Sequence, residues 1–65
     1  MGAPLSPRQL MCLQLLVDGC TSKEIARRLG LSPHTANQHI RELYRRLGVN
    51  KNSQAVAVAL KHNLV

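Results

Sequence analysis

A chain of 65 residues makes one domain near the lower size limit for folding alone, and its core must be aliphatic because it has no Phe, no Trp and only Tyr44 as an aromatic. A formal net charge of +6 and a pI near 10.4 point to a polyanionic partner. No stretch is long enough to span a membrane, no signal peptide is visible, and no segment pairs bulky apolar residues with a lysine-rich face as an interfacial helix does.

The spacing predicts four helices joined by turns of two to five residues, an all-α, compact four-helix domain over 5–65. Positions 1–4 read as a disordered N-terminal extension or an expression scar. Met1-Gly2-Ala3-Pro4-Leu5-Ser6 formally matches a myristoylation pattern, but Ser6 is better used as a helix cap. The first helix starts there, with Pro7 in the first helical position and Gln9 completing a capping box. Leu10, Leu13, Leu16 and Val17 follow at helical spacing, and Gly19 stops the run. Thr21 opens the second helix with Glu24 at capping-box distance; Ile25, Ala26 and Leu29 form its apolar face and Gly30 ends it. Ser32 and Pro33 start the third helix, which Gly48 ends. A start signal over 50–53 leads into the fourth, whose inner face is expected to carry Ala55, Val56, Ala59, Leu60 and Leu64.

Two faces divide the third helix. Ala36, Ile40, Leu43 and Leu47 make one apolar stripe. His34, Asn37, Gln38, Arg41 and Arg45 make a second, about 140° away at 100° per residue. Packing on one side and offering Asn, Gln and Arg on the other is what reading base edges in a DNA major groove requires. The segment Ala26-Arg27-Arg28-Leu29-Gly30-Leu31-Ser32 suits the corner before it. A small residue permits close packing, Gly30 permits a left-handed turn, and Leu31 plugs the bend, which is the helix-turn-helix layout.

Charge and cysteine usage agree with this. Seven of the nine Lys and Arg residues lie between positions 23 and 51, against two acids, Glu24 and Glu42. Cys12 and Cys20 have neither a disulfide framework nor metal-ligand spacing around them. Cys12 reads as a small core residue and Cys20 as a free thiol in a turn, which suits a reducing cytoplasm.

The residues Leu5-Ser6-Pro7-Arg8-Gln9, Lys23-Glu24-Ile25-Ala26, Ser32-x-x-Thr35-x-x-x-His39 and Leu47-Gly48-Val49 together resemble the LuxR-type (GerE-like) helix-turn-helix domain, over about positions 5 to 65. The resemblance implies a bacterial transcription regulator with a scaffold helix, a recognition helix and a fourth helix that commonly mediates dimerisation. Such domains usually follow an N-terminal regulatory domain, so the chain reads as either an excised effector domain or a small standalone regulator, with that domain or RNA polymerase as candidate further partners; no cofactor is expected. Four positions depart from the family pattern. Met11 stands where a glutamate is usual, Ala36 replaces a valine, Asn37 replaces a lysine, and Lys51 takes a usual Ser or Asn capping place.

With the recognition helix at about 33–47 in the major groove of double-stranded DNA, Asn37, Gln38 and Arg41 are the candidate base readers. Arg suits guanine O6 and N7, and Asn or Gln suits adenine N6 and N7; the alternative is a merely solvated face. Ser22 and Lys23, at a helix N-terminus, are candidate phosphate contacts, as are Arg45, Arg46, Lys51 and Asn52. The resemblance adds Thr35 and His39 to the backbone contacts, with a side-chain bond inside the domain as the alternative for each. His34 is a further candidate DNA contact. Ala55, Val58, Ala59 and His62 follow i, i+3, i+4, i+7 spacing and are the expected homodimer interface.

Catalysis finds no support. There is no metal constellation, no phosphate-cradling glycine loop and no nucleophile with plausible His and Asp partners. An RNA-binding module would need exposed aromatics for stacking. A protein-interaction or anti-activator module that keeps the fold without specific DNA binding stays open as the alternative.

Overall fold

In the computed structural model, which describes residues 5–65, four helices run in order: α1 (Pro7–Val17), α2 (Ser22–Leu29), α3 (Pro33–Leu47) and α4 (Asn52–Lys61). The extension expected at 1–4 lies outside the described residues. The helix starts follow the capping chemistry in the sequence. Ser6 Oγ accepts from the Gln9 amide at 3.1 Å while the Gln9 side chain accepts from the Ser6 amide at 3.0 Å. Thr21 and Glu24 repeat the arrangement at the start of α2. The Thr21 amide and hydroxyl hold the Glu24 carboxyl below its ordinary pKa, because hydrogen bonds favour the charged form. Ser32 Oγ accepts from the Thr35 amide at 3.1 Å. α4 starts differently. Lys51 takes the cap position without a side-chain hydrogen bond, and Gln54 reaches back to accept from the Asn50 amide at 3.1 Å.

Each helix stops by the same two-bond closure. At the α2–α3 corner Gly30 has φ 68°, its amide donates to the Arg27 carbonyl, and the Leu31 amide donates to the Ala26 carbonyl at 2.8 Å. A left-handed residue is what that closure needs. Gly19, Gly48 and Asn63 occupy the corresponding place after α1, α3 and α4. The apolar residue that follows each of them, at 20, 31, 49 and 64, folds back as a buried or half-buried contact, the hydrophobic accompaniment of this motif. Cys20, read from sequence as a turn thiol, is therefore part of the core at 6% exposure.

The core is aliphatic, as composition demands. Leu13, Ile25 and Leu43 are completely enclosed, with Cys12, Leu16, Ile40, Ala55 and Ala59 around them. α3 packs on α1 and α2, and α4 packs on α1. The fully buried Ala36 lets α3 approach closely. On α4 the expected inner face needs one correction: Leu60 is 59% exposed. Ala55 and Ala59 fix the inward direction, and a residue one position beyond Ala59 turns about 100° away from it. Val56 and Leu64 are half-buried. Met11 lies on the outer side of α1 with Leu10, both exposed, so the departure at Met11 is an apolar surface position. Among the described residues no helix is long and apolar enough to cross a membrane.

Candidate functional site

The buried stripe of α3 turns its polar residues outward. His34, Asn37, Gln38, Arg41 and Arg45 are exposed, while Thr35 and His39 are half-buried on the flank. On one side of this face lies a cleft of ≈ 390 Å³ where all four helices meet. Asn37 and Arg41 from α3 line it, opposite Ser22 at the first turn of α2 and Asn52 at the first turn of α4; Leu16, Ile40 and Tyr44 form its floor and wall. Two candidate base readers and two candidate phosphate contacts, far apart in the chain, thus share one concave surface. Lys23 and Lys51, both exposed, adjoin Ser22 and Asn52 in the chain.

The cleft has an electrostatic bias beyond its side chains. The first amides of a helix have no intrahelical acceptor, and the helix dipole places partial positive charge there. At α2 the capping box occupies the amides of Thr21 and Glu24 and does not reach those of Ser22 and Lys23. At α4 no side chain caps the first turn. Two such termini beside Arg41 suit an anionic oxygen.

Tyr44 is the residue that sequence reasoning missed. It is half-buried, lies one and two turns beyond Arg41 and Asn37, and burial pushes its phenol above the ordinary pKa, so the hydroxyl remains a donor. The spacing from Asn37 and Arg41 was the available signal.

A second groove, ≈ 440 Å³, is lined by Gln38, His39, Arg41, Glu42 and Arg45. Arg41 borders both concavities and is the ridge between them. Arg45 donates from Nη1 to Glu42 Oε1 at 2.8 Å. Thr35 has the internal bond weighed as its alternative role: its Oγ1 accepts from Ser32 Oγ at 2.9 Å. Arg46 is exposed.

The expected dimer surface requires correction. Ala55 and Ala59 are completely enclosed in the monomer core, because α4 uses its small residues to seat against α1. They are not available to a second copy. Val58 is half-buried and His62 exposed. The outward apolar surface of α4 is instead Ala57 and Leu60, with Ser53 one turn before Ala57.

Both cysteines are free and buried. Among the described residues no group of three or more His, Cys, Asp or Glu side chains could hold a metal ion.

Comparison with known proteins converges on one family. The GerE model, bacterial regulatory proteins of the luxR family, matches residues 3–59. The chain is 39% identical over 62 residues to the transcriptional regulatory protein MctR of Rhizobium johnstonii, covering 95% of this chain and 29% of that protein. It is 42% identical over 62 residues to the transcriptional activator protein CarR of Pectobacterium carotovorum subsp. carotovorum, covering 95% of this chain and 25% of that protein. The chain therefore spans less than a third of the length of these relatives. Among solved structures, the response regulator ChrA of a heme-sensing two-component system superposes with TM-score 0.91 at 30% identity, over 97% of this chain and 31% of that one. The transcription factor GerE superposes with TM-score 0.81 at 33% identity, over 92% of this chain and 90% of that one.

Proposed function

The chain belongs to the luxR family of bacterial regulatory proteins, DNA-binding transcription regulators rather than enzymes, and from that premise we propose that it reads a specific duplex site with α3 in the major groove. Asn37, Gln38 and Arg41 contact base edges. Ser22, Lys23, Thr35, His39, Arg45, Arg46, Lys51 and Asn52 hold the backbone, and His34 lies against the DNA at the start of the helix. The observation that carries this reading is the four-helix cleft, which joins Asn37 and Arg41 to the N-termini of α2 and α4. A phosphate seated there brings the adjoining base edges toward the readers. Tyr44 donates to the same phosphate.

The protein acts as a homodimer on a two-fold related site. Ala57 and Leu60 of α4 supply the apolar contact, with Ser53, Val58 and His62 around it. The outward apolar side chains on α4 support this assembly. A regulatory domain N-terminal to this one, RNA polymerase as a partner, and residence in the cytoplasm fit the regulators it resembles.

Fluorescence anisotropy with random and selected duplexes over a range of salt tests the reading. Each phosphate contact releases counterions and contributes about 0.9 to the slope of log K against log salt; roughly four to six contacts per monomer are expected. Affinity that barely changes between low and moderate salt would remove DNA as the main partner and leave a protein-interaction role.

A further inference from the structure

The chain has three acidic side chains, and two are occupied at helix ends outside α3. Asp18 accepts from Gln14 at 3.2 Å, and Glu24 closes the α2 capping box. Glu42 is the one carried by α3, the helix assigned to the groove. Its Oε1 lies 2.8 Å from Arg45 Nη1, with the side chains 46% and 75% exposed. That is the length of a charge-assisted bond, and i, i+3 spacing on a helix brings the pair together without distorting the chain. A carboxylate on a helix otherwise built to attract a polyanion opposes binding, so its placement beside one cation has a consequence for which DNA is bound.

Resting on the DNA-binding reading, we propose that Glu42 is a specificity-determining residue that holds one edge of the Arg45 guanidinium throughout, so that Arg45 reaches a phosphate only when the helix is fully docked. On random duplex the protein is held almost wholly by phosphate attraction. There the Arg45 charge is already answered by a carboxylate 2.8 Å away, closer than a loosely held backbone comes. In the fully docked complex the guanidinium has donors to spare. One edge stays on Glu42 while the other reaches a phosphate. Arg45 therefore contributes to the specific complex and little to the random one, and Glu42 widens the ratio between them. Glu42 acts through Arg45 and is a positioning residue for it.

The experiment is a double-mutant cycle read by anisotropy on the 65-residue chain: wild type, Glu42→Gln, Arg45→Ala and the double variant, each on a selected site and a random duplex. Glu42→Gln is expected to tighten random binding by about two- to fivefold, the range spanned by one exposed ion pair. It should steepen the salt slope on random duplex by about 0.9. The selected site gains less, so the specificity ratio falls. With Arg45→Ala already present, Glu42→Gln should change random binding by under about twofold, since only screened repulsion remains. Unchanged random affinity in Glu42→Gln overturns the proposal, as does equal tightening with and without Arg45, which would mean that Glu42 acts by its own charge. Wild-type protein that binds neither duplex at low salt removes the DNA-binding reading itself, a result distinct from both. The pair is exposed, so circular dichroism of all four proteins should show the same helix content.

Discussion

Arg41 borders both concavities of the α3 face, so a single side chain is shared by the cleft and the second groove. Arg41→Ala is expected to lose roughly 1–3 kcal/mol on the selected site and to relax base preference at one position. Asn37→Ala should relax a neighbouring position with a smaller loss. Sequence profiles selected by each variant test this, and two unchanged profiles would mean that these residues hold the backbone and read nothing. Tyr44 belongs to a different class. Tyr44→Phe should weaken selected and random duplex alike, by about 1 kcal/mol for one lost hydrogen bond, with base preference intact. Affinity equal to wild type would show that the hydroxyl faces water. Its raised pKa also has a sign. A phenol favoured as neutral in the folded state destabilises the fold only as pH rises above the ordinary tyrosine value near 10, and leaves stability unchanged at neutral pH. A melting series from pH 8 upward, compared with Tyr44→Phe, checks it.

Helix boundaries depend on bonds three to five residues long, and that is why they were legible. Ser6 with Gln9, Thr21 with Glu24, and Ser32 before Pro33 each mark a start in the sequence itself; Gly19, Gly30 and Gly48 mark stops. Gly30 gives the sharpest test at this scale. No atom lies within 4 Å of where its Cβ would stand, so Gly30→Ala meets no clash and pays only for a left-handed backbone, about 1–2 kcal/mol. Gly30→Asn should cost less, since Asn visits that region; Asn63 already does so at φ 53°. Urea unfolding of the two variants decides it, and equal losses would assign the cost to something other than φ. The orientation of α4 was harder to read. Ala55, Val56, Ala57, Val58, Ala59 and Leu60 form an unbroken apolar run, so periodicity alone offers several inward faces. The structure selects Ala55 and Ala59 because the space against α1 admits only small side chains there. The cleft was likewise out of reach, because Leu16, Ser22, Tyr44 and Asn52 come together only when four separate elements dock.

For the whole molecule, the proposed α4 dimer surface and the α4 core positions can be tested apart. Leu60→Glu should leave a folded monomer and abolish dimers, free and on a two-half-site duplex, because the side chain is 59% exposed. Ala59→Glu should unfold the protein, because it forces an unpaired charge into a closed core. Sedimentation with circular dichroism distinguishes the two. A Leu60→Glu protein that still pairs on DNA would move the interface off α4.

The two enclosed cysteines have a kinetic consequence. Burial pushes the Cys12 thiol above its ordinary pKa, a shift that Arg8 partly offsets, and Cys12 and Cys20 are 0% and 6% exposed. Reaction with a thiol reagent must then wait for the domain to open, and labelling rate becomes a gauge of how often it does so. A ligand that binds only the closed form slows labelling in proportion to its occupancy. The chain thus carries its own chemical reporter of duplex binding, readable without a fluorophore, an immobilised surface or a change to any residue proposed to touch DNA.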